Sequence, residues 1–194
     1  MKGERAKLPE LHFKNQKAWA AWLDKHHAKS PGVWLKLAKK GSEIPSVSYS
    51  EALEEALRYG WIDGQKQAYD ESFWLQRFTP RGPRSIWSKV NRDKVEELIR
   101  SGRMKPAGLA AVERAKQKGQ WEAAYDSQSR ASVPGDFQAA LDRNPKAKAF
   151  FATLNSANRY AVLWRIQTAK KAETRDKRIE QFIGMLERGE KLHP

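Results

Sequence analysis

GWIDGQKQAYDESFWLQRFTPRGPRSIWSKVN, residues 60–91, is the stretch that decides the fold of the first half of this chain. Segments 61–67 and 73–78 have the composition of strands and flank a polar turn, which predicts a β-hairpin. Side chains alternate along a strand, so Arg77 and Phe78 are expected on opposite faces. A buried guanidinium at the end of a sheet needs a carboxylate. Asp63 is the expected partner of Arg77, in a structural salt bridge or in a pair that faces a ligand.

A helix is predicted immediately before the hairpin, in SYSEALEEALRYG, residues 48–60. Ser48 and Glu51 have the spacing of a capping box, and apolar residues recur between them and the helix end at helical spacing. Gly60 stands where a glycine commonly ends a helix. The helix therefore leads the chain directly into the hairpin.

Two further elements are predicted closer to the amino terminus. Val33, Leu35 and Leu37 alternate with other residues in VWLKLAKKG, which predicts a strand with one buried face. Residues 15–26 carry aromatic and apolar side chains at helical spacing and predict an amphipathic helix. The residues before about Pro9 are predicted to be a disordered lead-in.

The chain is predicted to become helical after the hairpin. Pro80 and Pro83 remove donors from a sheet ladder, so the strand is expected to stop before them. A helix is predicted next, with Ser85 or Ser88 as its N-cap and Ile99 among the residues of its inner face.

A further helix is predicted from Pro106 to Gly119, with Leu109 among the residues available for packing. Residues 120–135 are rich in Ser, Ala, Gln and Gly and are interpreted as an inter-domain linker.

The remaining sequence predicts four helices, which are expected to begin at Asp136, at Pro145, at Asn155 or Ser156, and at Glu173. The predicted fold class is α+β: a small antiparallel sheet with packed helices, followed by an all-α carboxy-terminal helical bundle. The predicted domains are 10–119 and 136–194, separated by the linker.

The charge of the chain is strongly positive, with a formal net charge of +14. Residues 77–119 hold 12 Lys and Arg against 4 Asp and Glu, a net charge of +8. Such a field attracts nucleic acid, an anionic membrane surface or anionic metabolites. The sequence has no Cys and no long apolar run, so neither disulfides nor a transmembrane helix is expected. No apolar signal-peptide region precedes Phe13, and a cytoplasmic location is expected. No metal or cofactor is predicted, and the oligomeric state stays open.

The candidate ligand-binding residues lie in the hairpin and the loop after it. Guanidinium groups bind anions through paired donors, and indole rings supply apolar walls. An anionic or polar ligand is expected in a concave pocket at the hairpin end. The predicted set is Trp61, Asp63, Arg77, Arg81, Trp87, Ser88 and Asn91.

Two other functions stay open from the residues. A nucleic-acid-binding protein would use basic residues of the central loop and of the bundle, without sequence specificity. Its candidates are Arg84, Lys89, Arg92, Arg165, Lys170, Lys171, Arg175 and Arg178. An enzyme would have Asp63 as its acid or base, although the central stretch contains no His beside Asp63 or Ser88.

Several motifs resemble those of a known family. GWIDGQ at 60–65, RFTPRGPRSIWSKVN at 77–91 and ELIRSGRMKPAGLAAVE at 97–113 resemble the YdeI/OmpD-associated proteins, often labelled bacteriocin-protection proteins. The segment from Asn144 through AKKAETRDKRIEQFIGML resembles that family's carboxy-terminal helical domain. The resemblance covers nearly the full chain from Phe13.

The resemblance implies a non-enzymatic, stress-tolerance role in protection against bacteriocins or antimicrobial peptides. It carries over no catalytic residues. The positions that match the family's motifs are Trp61, Asp63, Gly64, Arg77, Pro80, Arg81, Trp87, Ser88 and Asn91. The net positive charge is expected to repel cationic peptides, so protection is expected to be indirect.

Overall fold

The structure is a computed structural model that describes residues 7–194, so most of the predicted lead-in lies outside the described residues. Over the described range the fold is α+β, as predicted, with one four-stranded sheet and eight helices. The strands are β1 (Glu10–His12), β2 (Val33–Ala38), β3 (Trp61–Ala68) and β4 (Phe73–Pro80). The helices are α1 (Gln16–His26), α2 (Tyr49–Arg58), α3 (Lys89–Arg100), α4 (Pro106–Gln117), α5 (Gly135–Asp142), α6 (Pro145–Thr153), α7 (Ser156–Gln167) and α8 (Ala172–Glu187).

The chain divides into two compact units. The first, the sheet unit, runs to Ser85 and includes Asn91–Glu122. The second, the helical unit, comprises Ile86–Val90 and Ala123–Pro194. Each unit has a separate set of buried apolar side chains.

The sheet unit is built on the predicted hairpin of β3 and β4. The strand order is β1-β2-β4-β3, with β2 and β3 both antiparallel to β4. β1 runs parallel to β2, so the sheet is mixed rather than antiparallel as expected. Three residues carry too weak a local signal to predict a strand, and β1 exists because β2 offers it a ladder of backbone hydrogen bonds.

The core of the sheet unit lies between one sheet face and helices α1 and α2. Val33, Leu35 and Leu37 are buried along β2, as their alternation predicts. Trp19 of α1 is fully buried, and its indole N–H donates to the carbonyl of Ala52 in α2 at 3.0 Å. Burying a large apolar side chain contributes roughly 1.5–3 kcal/mol, so this interface stabilises both helices.

The local helix signals are confirmed. Ser48 and Glu51 form both hydrogen bonds of the capping box at the start of α2. Gly60 has φ +73°, in the left-handed region where a glycine after a helix is favoured. Asn15 caps α1, its side-chain oxygen accepting from the Ala18 N–H at 2.9 Å.

Two expectations about the sheet unit are wrong. β4 continues through Pro80, which lies opposite Trp61 at the strand end, where the missing N–H interrupts little of the ladder. Ile99 and Leu109 are 39% and 45% exposed, because α3 and α4 bury different stripes. The buried residues of α3 are Val95 and Leu98; those of α4 are Gly108, Ala111, Val112 and Ala115.

The helical unit contains the four predicted helices, α5–α8, around one apolar core. Its fully buried members include Phe137 of α5, Val162 of α7 and Leu186 of α8. Asp136 is not the cap of α5, because the helix begins at Gly135 after Pro134. The Asp136 carboxylate accepts two hydrogen bonds from the Arg175 guanidinium, at 2.5 and 2.9 Å, and one from the Phe137 N–H at 2.8 Å.

Candidate functional site at the hairpin

A β-bulge in the hairpin sets the geometry of the candidate site. Asp63 lies opposite Phe78, and the register then shifts before Lys66, so Gly64 and Gln65 occupy the bulge. Because Asp63 pairs with Phe78, it shares a face with Phe78 and not with Arg77. The expected ion pair between Asp63 and Arg77 is therefore wrong.

Gln76 holds the bulge in place. Its side chain is 4% exposed, and its amide donates to the carbonyls of Gly64 and Gln65 at 2.9 and 3.3 Å. A bulge interrupts the hydrogen-bond ladder between the strands and leaves some backbone carbonyls without a partner. The Gln76 amide supplies donors to these carbonyls. No local pattern in the sequence indicates this role, because it depends on where the register shifts.

Asp63 forms a side-chain hydrogen bond with helix α2. Its carboxylate accepts from the Tyr49 hydroxyl at 2.8 Å. The Tyr49 ring also lies against Trp74 of β4, with centroids 6.1 Å apart. Tyr49 was not among the predicted residues, although its place in the first turn of a helix that leads into the hairpin was a usable signal.

Arg77 lies on the other sheet face, opposite Trp34 of β2. One terminal nitrogen of its guanidinium is 3.5 Å from the Gln65 side-chain oxygen, a long contact with a neutral group. The Arg77 Nε atom is buried and has no hydrogen-bond acceptor among residues 7–194. Most buried polar groups are hydrogen-bonded, so this atom is an exception, which it shares with the Nε atom of Arg92.

Trp61 and Arg81 are both buried in the sheet unit. Trp61 is 1% exposed, its indole N–H donates to the His27 carbonyl at 3.1 Å, and its ring is edge-on to Trp19 and Trp22. Arg81 is 8% exposed, and its backbone N–H donates to the Gly60 carbonyl at 3.0 Å.

The other predicted ligand residues are divided between the units. Trp87 and Ser88 belong to the helical unit, where Trp87 is 2% exposed and Ser88 forms an isolated parallel bridge with Tyr125. Asn91 belongs to the sheet unit and is half-buried in α3. The structure therefore does not bring the seven residues together within one unit.

The candidate nucleic-acid residues differ in their partners. Lys89 pairs with Asp126 at 2.7 Å, Arg175 with Asp136, and Arg92 more loosely with Glu96 at 3.7 Å. Arg165 and Arg178 donate to helix carbonyls. The three exposed members of the set are Arg84, Lys170 and Lys171.

Three of the four histidines form ring contacts within the described part of the chain. His12 packs edge-on against Phe73, His26 stacks on Trp22, and the ring of His27 contacts the Leu23 carbonyl at 2.8 Å. Within residues 7–194, no three His, Asp or Glu side chains are grouped so as to hold a metal ion. Over the same range, no helix is both long and apolar enough to cross a bilayer.

The fold defines a class of protein: an α+β sheet unit, followed in the sequence by a helical unit. Residues 11–111 match the family described as "Domain of unknown function (DUF8412)". This match covers more than half of the chain, and the chain belongs to that family. Residues 130–189 match the family described as "Bacteriocin-protection, YdeI or OmpD-Associated".

The second match confirms the sequence resemblance for residues 130–189, whereas the part before it matches the first family. No curated protein and no solved structure matches the chain.

Proposed function

We propose that this protein is a non-enzymatic stress-tolerance protein that protects against bacteriocins. The proposal follows the description of the family that residues 130–189 match. We propose that it binds an anionic or polar ligand at the β3–β4 hairpin of the sheet unit, with Arg77 as the central contact. The observation that carries the proposal is the buried Arg77 Nε atom without an acceptor among the described residues.

A guanidinium in this state favours an anion. A buried donor that makes no hydrogen bond costs about 1–3 kcal/mol, and a ligand oxygen would supply the acceptor once the Arg77 side chain shifts to expose the Nε atom. Carboxylates and phosphates match the fork of Arg with two parallel hydrogen bonds. Gln65 is a neutral neighbour, and no carboxylate of the described residues forms an ion pair with Arg77.

Trp34 would be the apolar wall of the proposed site. It lies opposite Arg77 in the ladder, on the same face, and is half-buried. Directly opposed residues in an antiparallel pair have Cβ atoms about 4.5–5.5 Å apart, so one ligand can contact both side chains. Asp63 and Tyr49 lie on the opposite face, and in this proposal they hold α2 against the hairpin.

The test is thermal unfolding of the full chain with inorganic phosphate, citrate or ATP at matched ionic strength. A ligand at about 100 times its Kd stabilises the folded protein by about 2.7 kcal/mol, so Tm rises for at least one probe. Arg77→Gln should remove this rise. The matched control is Arg84→Gln, an exposed arginine with the same change of charge.

The control is needed because phosphate and similar anions stabilise proteins generally by exclusion from their surface. An equal rise in wild type and Arg77→Gln, or no rise with any probe, would overturn the proposed anion site. A mixed-sequence oligonucleotide provides the comparison with the nucleic-acid alternative. Binding that is lost in Lys170→Gln/Lys171→Gln and kept in Arg77→Gln would favour that alternative.

The protective role needs a cellular test. Bacteria that express wild type should survive a bacteriocin better than bacteria that express Arg77→Gln at equal protein level. Equal survival of the two strains would show that protection does not depend on Arg77.

A further inference from the structure

The helical unit has a groove that the hairpin site does not involve. It lies between α5 and α8 and has a volume of about 650 Å³, within the roughly 300–1,000 Å³ of ligand-binding pockets. Ile179 and Ile183 of α8 and Ala140 of α5 line it with apolar atoms. Ile179 is also a member of the core, so the groove is an opening onto the packed interior.

The acidic side chains of the groove follow from the helix period. Asp176, Glu180 and Glu187 are spaced by four and seven residues, so they lie along one side of α8. With a rise of 1.5 Å per residue, this row extends about 16 Å, or three helical turns. Ile183 lies in the same row, between two of the carboxylates.

The groove is acidic although the chain has a net charge of +14. Asp176, Glu180 and Glu187 are exposed, and none of them forms an ion pair within 4 Å or a hydrogen bond among the described residues. Asp176 and Glu187 interact at longer range with Arg175 and Arg188, whereas Glu180 has no such neighbour among the described residues. Asp136, also in the lining, is balanced by Arg175. Among the ten lining residues, all in the described part of the chain, the one base is Arg143.

We propose that this groove binds a cationic amphipathic helix of a partner peptide. Apolar side chains at positions i, i+3 or i+4 and i+7 of such a helix would enter the groove, as in other helix-in-groove complexes. Its Lys and Arg residues would pair with Asp176, Glu180 and Glu187. The row of about three turns matches the length that these anchors need.

The net charge of the protein does not prevent this. The Debye length is about 8 Å at physiological salt, so the carboxylates that line the groove act on a bound cation more strongly than distant Lys and Arg residues do. The expectation that the protein repels cationic peptides therefore applies to its average surface and not to the groove. This proposal is independent of the Arg77 site, which lies in the other unit.

The first experiment measures fluorescence anisotropy of a labelled helical peptide of about 14 Leu and Lys residues, patterned with one apolar face, against the full chain. A peptide of the same composition with a scrambled order is the ligand control. The test variant is Asp176→Asn/Glu180→Gln/Glu187→Gln. The matched variant is Glu97→Gln/Glu113→Gln/Glu122→Gln, which changes the net charge equally at exposed carboxylates outside the groove.

The patterned peptide should bind wild type and the matched variant alike. It should bind the groove variant about tenfold more weakly, because three charge pairs of modest strength are lost. Equal weakening in both variants, or equal binding of the scrambled peptide, would reduce the interaction to non-specific charge attraction and overturn the proposal.

Gly184 allows a second test that keeps the fold and the charge. It lines the groove in α8, and a Cβ added there would meet only the end of the Arg188 side chain, at 3.4 Å. Gly184→Leu should fill the groove and abolish binding, whereas Gly184→Ala should retain most of it. Both changes favour a helix over glycine, so loss of folding does not confound the comparison.

Unchanged affinity of the peptide for Gly184→Leu would show that it binds elsewhere and would refute binding in the groove. Two other occupants are distinguished by the same proteins. Self-association of wild type that the groove variant abolishes, without peptide binding, would assign the groove to a second copy of the chain. Spermine binding without peptide binding would assign it to a small polycation. Either result would overturn the helix proposal.

Discussion

Gly108→Ala is predicted to destabilise the sheet unit, although alanine is the better helix former. Gly108 lies inside α4, where that helix crosses the end of α2. An added Cβ would be 2.2 Å from the Arg58 carbonyl oxygen, whereas ordinary van der Waals contact begins near 3.4 Å. The Arg58 carbonyl also accepts from the Lys105 N–H at 3.1 Å, so it cannot shift without weakening that hydrogen bond.

The magnitude follows from two opposing effects. Overpacking a well-packed contact costs about 1–3 kcal/mol, and a clash with backbone belongs at the upper end of that range. Replacing Gly by Ala in a helix interior returns about 1 kcal/mol. The expected net loss is about 2 kcal/mol, which lowers the urea midpoint by about 1 M for a typical slope.

The assay is urea unfolding followed by Trp fluorescence, because six of the eight Trp residues belong to the sheet unit. Gly82→Ala is the control in the same unit, since a Cβ at Gly82 would meet only the Ser85 hydroxyl, at 3.9 Å. It should change stability by less than about 1 kcal/mol. Equal midpoints for Gly108→Ala and Gly82→Ala would refute the close approach of α4 to α2.

Two further predictions concern ionisable groups. Hydrogen bonds from Arg175 hold the pKa of Asp136 below its ordinary value. The pair therefore stabilises the folded protein fully above about pH 4, the ordinary pKa of Asp. This stabilisation is lost as the pH falls through the lower pKa of the folded state. Asp136→Asn should therefore destabilise the helical unit at pH 7, in urea unfolding followed by circular dichroism, and an undiminished difference at the lowest pH would contradict the linkage. Burial and then the hydrogen bond to Asp24 raise the pKa of Tyr59 to about 12, so tyrosinate absorbance should show a late titration that Tyr59→Phe removes. The same variant should lose about 1 kcal/mol of stability with its 2.9 Å hydrogen bond, and an unchanged titration curve would assign the late group to another tyrosine.

The candidate site could be predicted only in part. Arg77 is predicted as a ligand residue because it stands in a strand-like segment beside aromatic residues, and alternation along that strand correctly places it on the face away from Phe78. Trp34, Gln65, Tyr49 and Gln76 were missed. Their places depend on which strands pair and where the bulge shifts the register, and neither is a local property of the chain.

The sequence by itself determined the elements whose causes are local. The Ser48–Glu51 capping box, the glycine at position 60 and the Asn155 cap each depend on hydrogen bonds or backbone angles within a few residues. The α+β class followed from the hydrophobic periods of these elements. Such interactions are the same in a short segment as in the whole protein.

Only the tertiary structure decided how these elements face one another. It added β1 by pairing it with β2, exposed Ile99 and Leu109, and separated Asp63 from Arg77. It also brought α5 beside α8 to form the acidic groove, although the two helices are far apart in the sequence. Each of these outcomes depends on contacts between distant residues, which are set by packing and register across the whole unit and carry no signal in the local sequence.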